Sequence, residues 1–216
     1  MSSPRPISRS LKPLVFALCL VPLAWVVYKA VFVGLGANPN EALNRYLGDW
    51  ALRFVLIALA VTPLRGLLKW NGLARYRRMF GLFAFAYVCF HLTSYIAIDQ
   101  FFDWNEIWAD ISKRYYITIG MATFVMLVPL AVTSTNSMAR RLGAKRWKNL
   151  HRLAYAAGAG GVIHYFMMVK ADLSQPMIHA GVLAFLLGYR VVAWARRRSP
   201  GNPDRAESTG RPIQVV

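Results

Sequence analysis

Two histidines, His91 and His164, sit deep inside separate apolar segments of the chain. Hydrocarbon disfavours an imidazole, so a histidine within a membrane span points to function. His91 lies twelve residues beyond Met79, about 18 Å at the helical rise. His164 lies thirteen residues beyond His151, about 20 Å by the same rise. On helices running the same way the two rings are level, and two level imidazoles can ligate one haem iron from opposite faces. A flat macrocycle needs room between helices. The small residues Ala156 to Gly161, including Gly158 and Gly161, supply it just before His164, although such a run also serves plain helix packing. Isolated histidines bonded to neighbouring helices, or lining a polar cavity, are the other reading of the pair. Zinc is disfavoured, because no carboxylate or thiol is placed to complete a tetrahedral set.

The remaining candidates lie near the ends of the apolar runs. His151 falls in Arg146-Trp147-Lys148-Asn149-Leu150-His151-Arg152, about 140° around an ideal helix from His164. The matching depth on the His91 helix falls near Arg77 and Arg78, with no histidine. A second bis-histidine haem therefore lacks a ligand. His151 is either an interfacial residue or a third ligand, or a contact to quinone or flavin. His179, close to Pro176, reads as structural or interfacial, with a reserve role as ligand. Arg75, Arg77 and Arg78 beside Tyr76 form a cationic cluster. Guanidinium groups match carboxylate and phosphate oxygens, so haem propionates, a flavin phosphate or lipid headgroups could meet them; the cluster also serves topology.

These residues need helices to hold them in a bilayer. Of the 216 residues, 56% are hydrophobic and only 16% charged. Six continuous apolar stretches, 14–34, 51–68, 79–98, 116–133, 152–169 and 177–195, approach the ~20 residues that cross a membrane as helix. Putting the N-terminus inside assigns twenty of the 26 Lys and Arg residues to inner loops and ends, as the positive-inside rule requires. Most acids, including Glu41, Asp49, Asp99, Asp103, Glu106 and Asp110, then face outward. The expectation is an all-α, six-helix transmembrane bundle with both termini cytoplasmic and no acid inside a span except boundary residues. The domain layout is an inner segment 1–10, a membrane domain 11–198 and a disordered tail 199–216. Both histidines then lie in the outer half of the membrane.

Several other classes fall away. The net charge of +17 suggests nucleic acid in a soluble protein, but here the charges flank membrane spans, so no nucleic-acid partner is expected. The first apolar run is too long for a signal peptide core and lacks a small-x-small cleavage site; it reads as a retained helix kinked at Pro22. Cys19 and Cys89 lie within apolar runs and read as packing residues. No nucleotide-binding strand–turn–helix unit is present, since Gly158 to Gly161 lie inside a span. Electrons would then come from one separate molecule and leave to another.

Arg77-Arg78-x-x-Gly81-Leu82 leading to His91, with Trp147-x-x-Leu150-His151-Arg152-Leu153-x-Tyr155 leading to His164, resembles the MsrQ (YedZ) family. These are haem-binding membrane subunits of a periplasmic methionine sulfoxide reductase system, within the ferric-reductase-like transmembrane superfamily. The resemblance implies a b-type cytochrome of the bacterial inner membrane that also associates with FMN. It implies His91 and His164 as axial ligands of haem b, with His151 as the third family histidine. It further implies electron supply from the quinone pool or a cytosolic flavin reductase. Delivery would be to a periplasmic molybdopterin subunit (MsrP-like) that repairs oxidised proteins. A stand-alone quinol or ferric-type reductase, or a histidine-dependent transporter, are the alternatives. The outer loop carrying Asp99, Asp103, Trp104, Glu106, Trp108 and Asp110 is a candidate docking surface, or an interfacial aromatic belt.

Overall fold

The computed structural model describes residues 7–169 and 171–198. The tail 199–216, with Arg205 and Arg211, and the basic residues Arg5 and Lys170 lie outside the described residues. The helices are α1 (Ile7–Tyr28), α2 (Pro39–Leu68), α3 (Ala74–Ser94), α4 (Trp104–Lys113), α5 (Tyr115–Val132), α6 (Asn136–Leu150), α7 (Leu153–Met168) and α8 (Ser174–Arg198). A π-helical turn, Lys29–Val33, prolongs α1, and another, Tyr95–Asp99, prolongs α3. No strand occurs among the described residues.

Five of these helical stretches are long and apolar enough to cross a membrane, those of α1, α2, α3, α5 and α8. The sixth expected span, α7, is apolar but has only 16 residues, about 24 Å of helix against a hydrocarbon core of about 30 Å. Two helices were not foreseen at all. Both fall in the loops, where the charge pattern hid them.

α2 begins twelve residues before the expected span. Asn38 caps it, its side chain accepting from the Glu41 amide, and Pro39 occupies the first turn, where its missing N–H costs nothing. Asp49 therefore shares a helix with the expected span, two residues before its start, and Arg53 lies within that span. Arg53 reaches Asp49 at 3.4 Å, one turn away.

α4 is capped by Asp103, whose carboxylate accepts from the amides of Asn105 and Glu106. One face buries Ile107 and Asp110 while Trp104 and Trp108, one turn apart, stay exposed. Asp110 is committed inward. It accepts from the Tyr95 hydroxyl and the Gln100 amide, both at 2.9 Å, and pairs with Arg114 at 3.0 Å. It thus ties the end of α3 and the start of α5 to α4, and of the proposed docking residues it is the one facing away from solvent. α6 opens on Thr135, which caps the Met138 amide. Gly143, at φ 74° and ψ 155°, breaks α6 in a conformation that favours glycine.

α2 is the centre of the bundle, lying along α3 and touching α7 and α8, while α5 packs along α7. Its buried face of Leu47, Ala51, Phe54, Val55 and Leu59 meets Tyr87 of α3 and Leu183 of α8. Tyr87 also fastens α1. Its hydroxyl donates to the Cys19 carbonyl and accepts from the Leu23 amide, both at 3.0 Å. The phenolic oxygen therefore bridges two groups that would ordinarily bond each other, one residue past Pro22, where a side chain entering the ladder bends a helix. Tyr87→Phe is expected to cost about 1 kcal/mol, read as a lowered thermal midpoint of the detergent-solubilised protein. The loss stays small because Leu23 and Cys19 can close on each other. A null shift would mean that the hydroxyl does not hold α1.

Candidate functional site

His91 of α3 and His164 of α7 meet across the bundle. Their ring centroids are 6.2 Å apart with the planes at 77°. Each ring is fixed by the same device. The Nδ1 of His91 is 2.9 Å from the Asn44 carbonyl of α2, and the Nδ1 of His164 is 2.6 Å from the Tyr116 carbonyl of α5. A carbonyl can only accept, so each Nδ1 carries the proton and donates it, leaving a lone pair on each Nε2. A metal-bound histidine carries its proton in the same place, on the nitrogen turned away from the ion.

The same two helices make room for the rings. One turn beyond Asn44 stands Gly48, where a Cβ would lie 3.1 Å from His91 Cε1 and 3.2 Å from Nδ1. One turn beyond Tyr116 stands Gly120, where a Cβ would lie 2.9 Å from His164 Nδ1 and 3.0 Å from Cε1. In each case a carbonyl at position i orients the ring and a glycine at i+4, on the same helix face, lets it lie against the backbone. The pairs α2–α3 and α5–α7 repeat one arrangement.

Two imidazoles ligating one metal from opposite sides, with bonds of about 2 Å and ring centres about 1 Å beyond each nitrogen, have centroids about 6 Å apart. The observed 6.2 Å fits that requirement. No group of three or more His, Cys, Asp or Glu residues capable of holding a metal occurs among the described residues.

His151 takes no part in this pair. It sits in the turn between α6 and α7, not on α7, so the helical-wheel angle to His164 does not apply. Its ring stacks on Trp147 at 3.9 Å, and its Nδ1 lies 3.1 Å from the Trp147 carbonyl. The Trp147 indole is itself anchored to the Thr133 carbonyl at 3.0 Å. Burial, with the nearby positive charge of Arg77, holds the His151 imidazole below its ordinary pKa, against the opposing hydrogen bond to Trp147. His151 is therefore neutral near pH 7.

The arginine cluster divides. Arg77 turns inward, toward Tyr155 of α7 and Arg190 of α8. Arg190 donates to the Tyr155 hydroxyl and, at 2.6 Å, to the Leu59 carbonyl, with its guanidinium 4.7 Å from the Tyr155 ring centre. Arg78 turns outward, 2.5 Å from the Asn136 side chain of α6. Gly158 and Gly161 face aliphatic side chains: a Cβ at Gly158 would meet Leu59, Leu183 and Val55, and one at Gly161 would meet Leu52. They bring α7 close to α2. The glycines against the imidazoles are Gly48 and Gly120, which carry no mark in the sequence beyond their type. His179 is buried in α8, its Nδ1 2.7 Å from the Gln175 carbonyl and its ring edge-on to Tyr165 at 5.6 Å.

Residues 47–162 match the family model described as the ferric reductase like transmembrane component. The chain is 61% identical over 189 residues to the protein-methionine-sulfoxide reductase heme-binding subunit MsrQ of Rhodospirillum rubrum, covering 87% of this chain and 90% of the relative. It is 48% identical over 190 residues to the MsrQ subunit of Caulobacter vibrioides, covering 88% and 90%. Magnetosome protein MamZ of Magnetospirillum gryphiswaldense is 39% identical over 189 residues, 85% of this chain but 29% of that longer protein. Similarity across nearly the whole length of both partners, on a bundle that aligns two membrane-buried histidines, makes this chain a member of the MsrQ family of ferric-reductase-like transmembrane proteins.

Proposed function

We infer that the protein is a b-type cytochrome that holds haem b between His91 and His164 and relays electrons outward to a periplasmic, molybdopterin-containing methionine sulfoxide reductase. The observation that carries this reading is the pair itself: two imidazoles with Nδ1 committed to backbone carbonyls and ring centres 6.2 Å apart. When bound, haem supplies a one-electron carrier whose potential is set by its axial ligands and their hydrogen bonds. The chain's own part is to fix the two rings, exclude water and prevent the imidazoles from turning.

The surroundings extend the reading. With six spans and both termini inside, the histidine pair lies toward the outer face of the inner membrane, next to a periplasmic acceptor. Gly158 and Gly161 set the distance of α7 from α2 and so the place of His164. His151, neutral and stacked, stands with Arg77 at the opposite end of the bundle, where a third histidine could serve a second group. Arg77 and Arg78, at that inner end, offer guanidinium groups to the phosphate of FMN. Quinol from the membrane, or a cytosolic flavin reductase, is the donor.

The reading is tested by reducing the purified protein and mixing it with the molybdopterin partner. Reoxidation of the haem bands on adding methionine sulfoxide is expected only with the partner present. An unchanged rate with and without it would remove the relay and leave a stand-alone reductase. A companion expectation concerns the inner end: Arg77→Met should disturb this step less than either axial histidine, with haem content retained. Haem loss in Arg77→Met would make Arg77 part of the haem site.

A further inference from the structure

The helix α4 joins the π-helical end of α3, at Asp99, to the start of α5, at Tyr115. Only residues 100–103 precede it and only Arg114 follows it. Tied so closely to two membrane-spanning helices that pack together, α4 lies across that end of the bundle instead of standing away from it. Its roll is fixed as well. Ile107 and Asp110 are buried, and the Asp110 carboxylate holds Tyr95, Gln100 and Arg114. At about 100° per residue, Trp104 and Trp108 share one flank of α4, while Glu106 and Lys113 share another about 170° away. All four side chains are exposed. The buried pair faces the bundle between these flanks, and the small polar Asn105 and Ser112 occupy the remaining side.

The aromatic flank continues into the turn before the helix. Phe101 and Phe102 stand there at φ 46° and 62°, a left-handed conformation that strains any bulky side chain. The Phe102 amide donates to the Ile96 carbonyl at 2.9 Å, which closes the turn, and the Phe102 ring lies 6.5 Å from that of Trp104. Phe101 is 78% exposed and Trp108 73%. A strained turn thus directs two phenyl rings out of the bundle, where no burial within the chain offsets the strain. Removing those rings from water would offset it. Lipid and a docked protein are the two surroundings able to do so, and the charged flank decides between them. With the aromatic flank toward the bilayer, the indole rings sit at headgroup level, which suits their apolar body and polar N–H, and Glu106 and Lys113 face water. With the aromatic flank toward water, as protein docking requires, the same roll would press Glu106 and Lys113 toward hydrocarbon, where charge is costly. Opposed apolar and charged flanks are the pattern of a helix lying in the interface plane.

We propose that α4 and the turn before it form a membrane-surface anchor, with Phe101, Phe102, Trp104 and Trp108 in the lipid interface and Glu106 and Lys113 in water. The partner of this face is a lipid surface, so an electron acceptor docks elsewhere. Through Asp110 the anchor sets the level of the end of α3 and the start of α5. The proposal needs only that the chain spans a membrane and is independent of the haem reading. It is tested with Trp104→Cys, Glu106→Cys, Trp108→Cys and Lys113→Cys, one at a time in a chain carrying Cys19→Ala and Cys89→Ala. Each is nitroxide-labelled in liposomes of phosphatidylethanolamine and phosphatidylglycerol. EPR power saturation then compares collisions with oxygen, which partitions into lipid, and with nickel–EDDA, which stays in water. Oxygen is expected to dominate at positions 104 and 108 and nickel at 106 and 113, a several-fold reversal of the ratio. Nickel dominating at 104 and 108 overturns the anchor and makes the patch a water-facing docking surface. One ratio at all four positions overturns the opposed flanks. Where a cysteine variant misfolds, hydroxyl-radical footprinting of the wild-type chain in nanodiscs decides. Several-fold protection of Trp104 and Trp108, relative to the same peptides free in solution, is expected, and unprotected rings overturn the proposal.

Discussion

Alanine at His91 or at His164 is expected to remove the Soret band almost entirely, each on its own. The reason is geometric. The two rings approach from different helices, α3 and α7, and their centres stand 6.2 Å apart. If one ring is removed, the nearest replacement ligand would have to come from another helix. His179 is tied to Gln175, and His151 is stacked on Trp147 beyond the end of α7. Neither can swing into the vacant place without losing its own hydrogen bond and stacking partner. His151→Ala should behave differently. It removes a neutral ring at the inner end, and the haem held by His91 and His164 should survive, with a haem-to-protein ratio close to wild type. Pyridine haemochrome assay of the three purified variants checks the whole set. Retention of a full Soret band in His91→Ala would refute the axial pair. A halving of haem content in His151→Ala would instead place a second haem at the inner end.

The histidine pair was legible because its cost is legible: an imidazole in an apolar run stands out, and the loop charges give each run a direction. The matching depths followed from counting residues. What oriented the rings was not legible. Asn44 and Tyr116 act through backbone carbonyls, which every residue possesses, so no residue type betrays them. Gly48 and Gly120 are single glycines in apolar helices, less conspicuous than the run ending at Gly161, which drew attention by its density. In that run Gly158 and Gly161 proved to face Leu52, Leu59 and Leu183, and Gly160 to face Thr123 of α5. The early start of α2 hid the helical setting of Asp49, because hydropathy alone placed the span from residue 51 onward. Asn38 and Pro39, a capping residue followed by an N-terminal proline, were the signal that could have extended it. α4 had a similar signal in Asp103 and Glu106. α6 offered Thr135, but its basic residues were absorbed into the topology argument.

The glycines provide a sharper test than the histidines, since they change no ligand. A Cβ at position 120 would stand 2.9 Å from His164 Nδ1, and one at position 48 would stand 3.1 Å from His91 Cε1. The neighbour is a planar ring pinned at its other contacts, not the free end of a flexible chain. At position 120 the ring is also held at 2.6 Å to the Tyr116 carbonyl on the same helix. It cannot retreat from the new methyl without breaking that bond, and with it the tautomer that frees Nε2. Gly120→Ala should therefore lower haem content several-fold, by an apparent cost of about 1–3 kcal/mol. The haem that remains should show shifted low-temperature EPR g-values as the ring turns. Gly48→Ala, with slightly more room and a longer 2.9 Å bond to Asn44, should lose less. Valine at either position should lose nearly all haem, because a branched side chain cannot turn away from the ring. Gly81→Ala, where nothing lies within 4 Å of the new Cβ, is the control and should leave both spectrum and haem ratio unchanged. An order in which Gly81→Ala is worst, or in which Gly120→Ala binds haem with wild-type g-values, would mean that the ring positions are set by something other than these two backbone contacts. The expected order, Gly120 before Gly48 before Gly81, separates a ligand-orienting role from a general intolerance of alanine in these helices, since the chemical change is the same at all three.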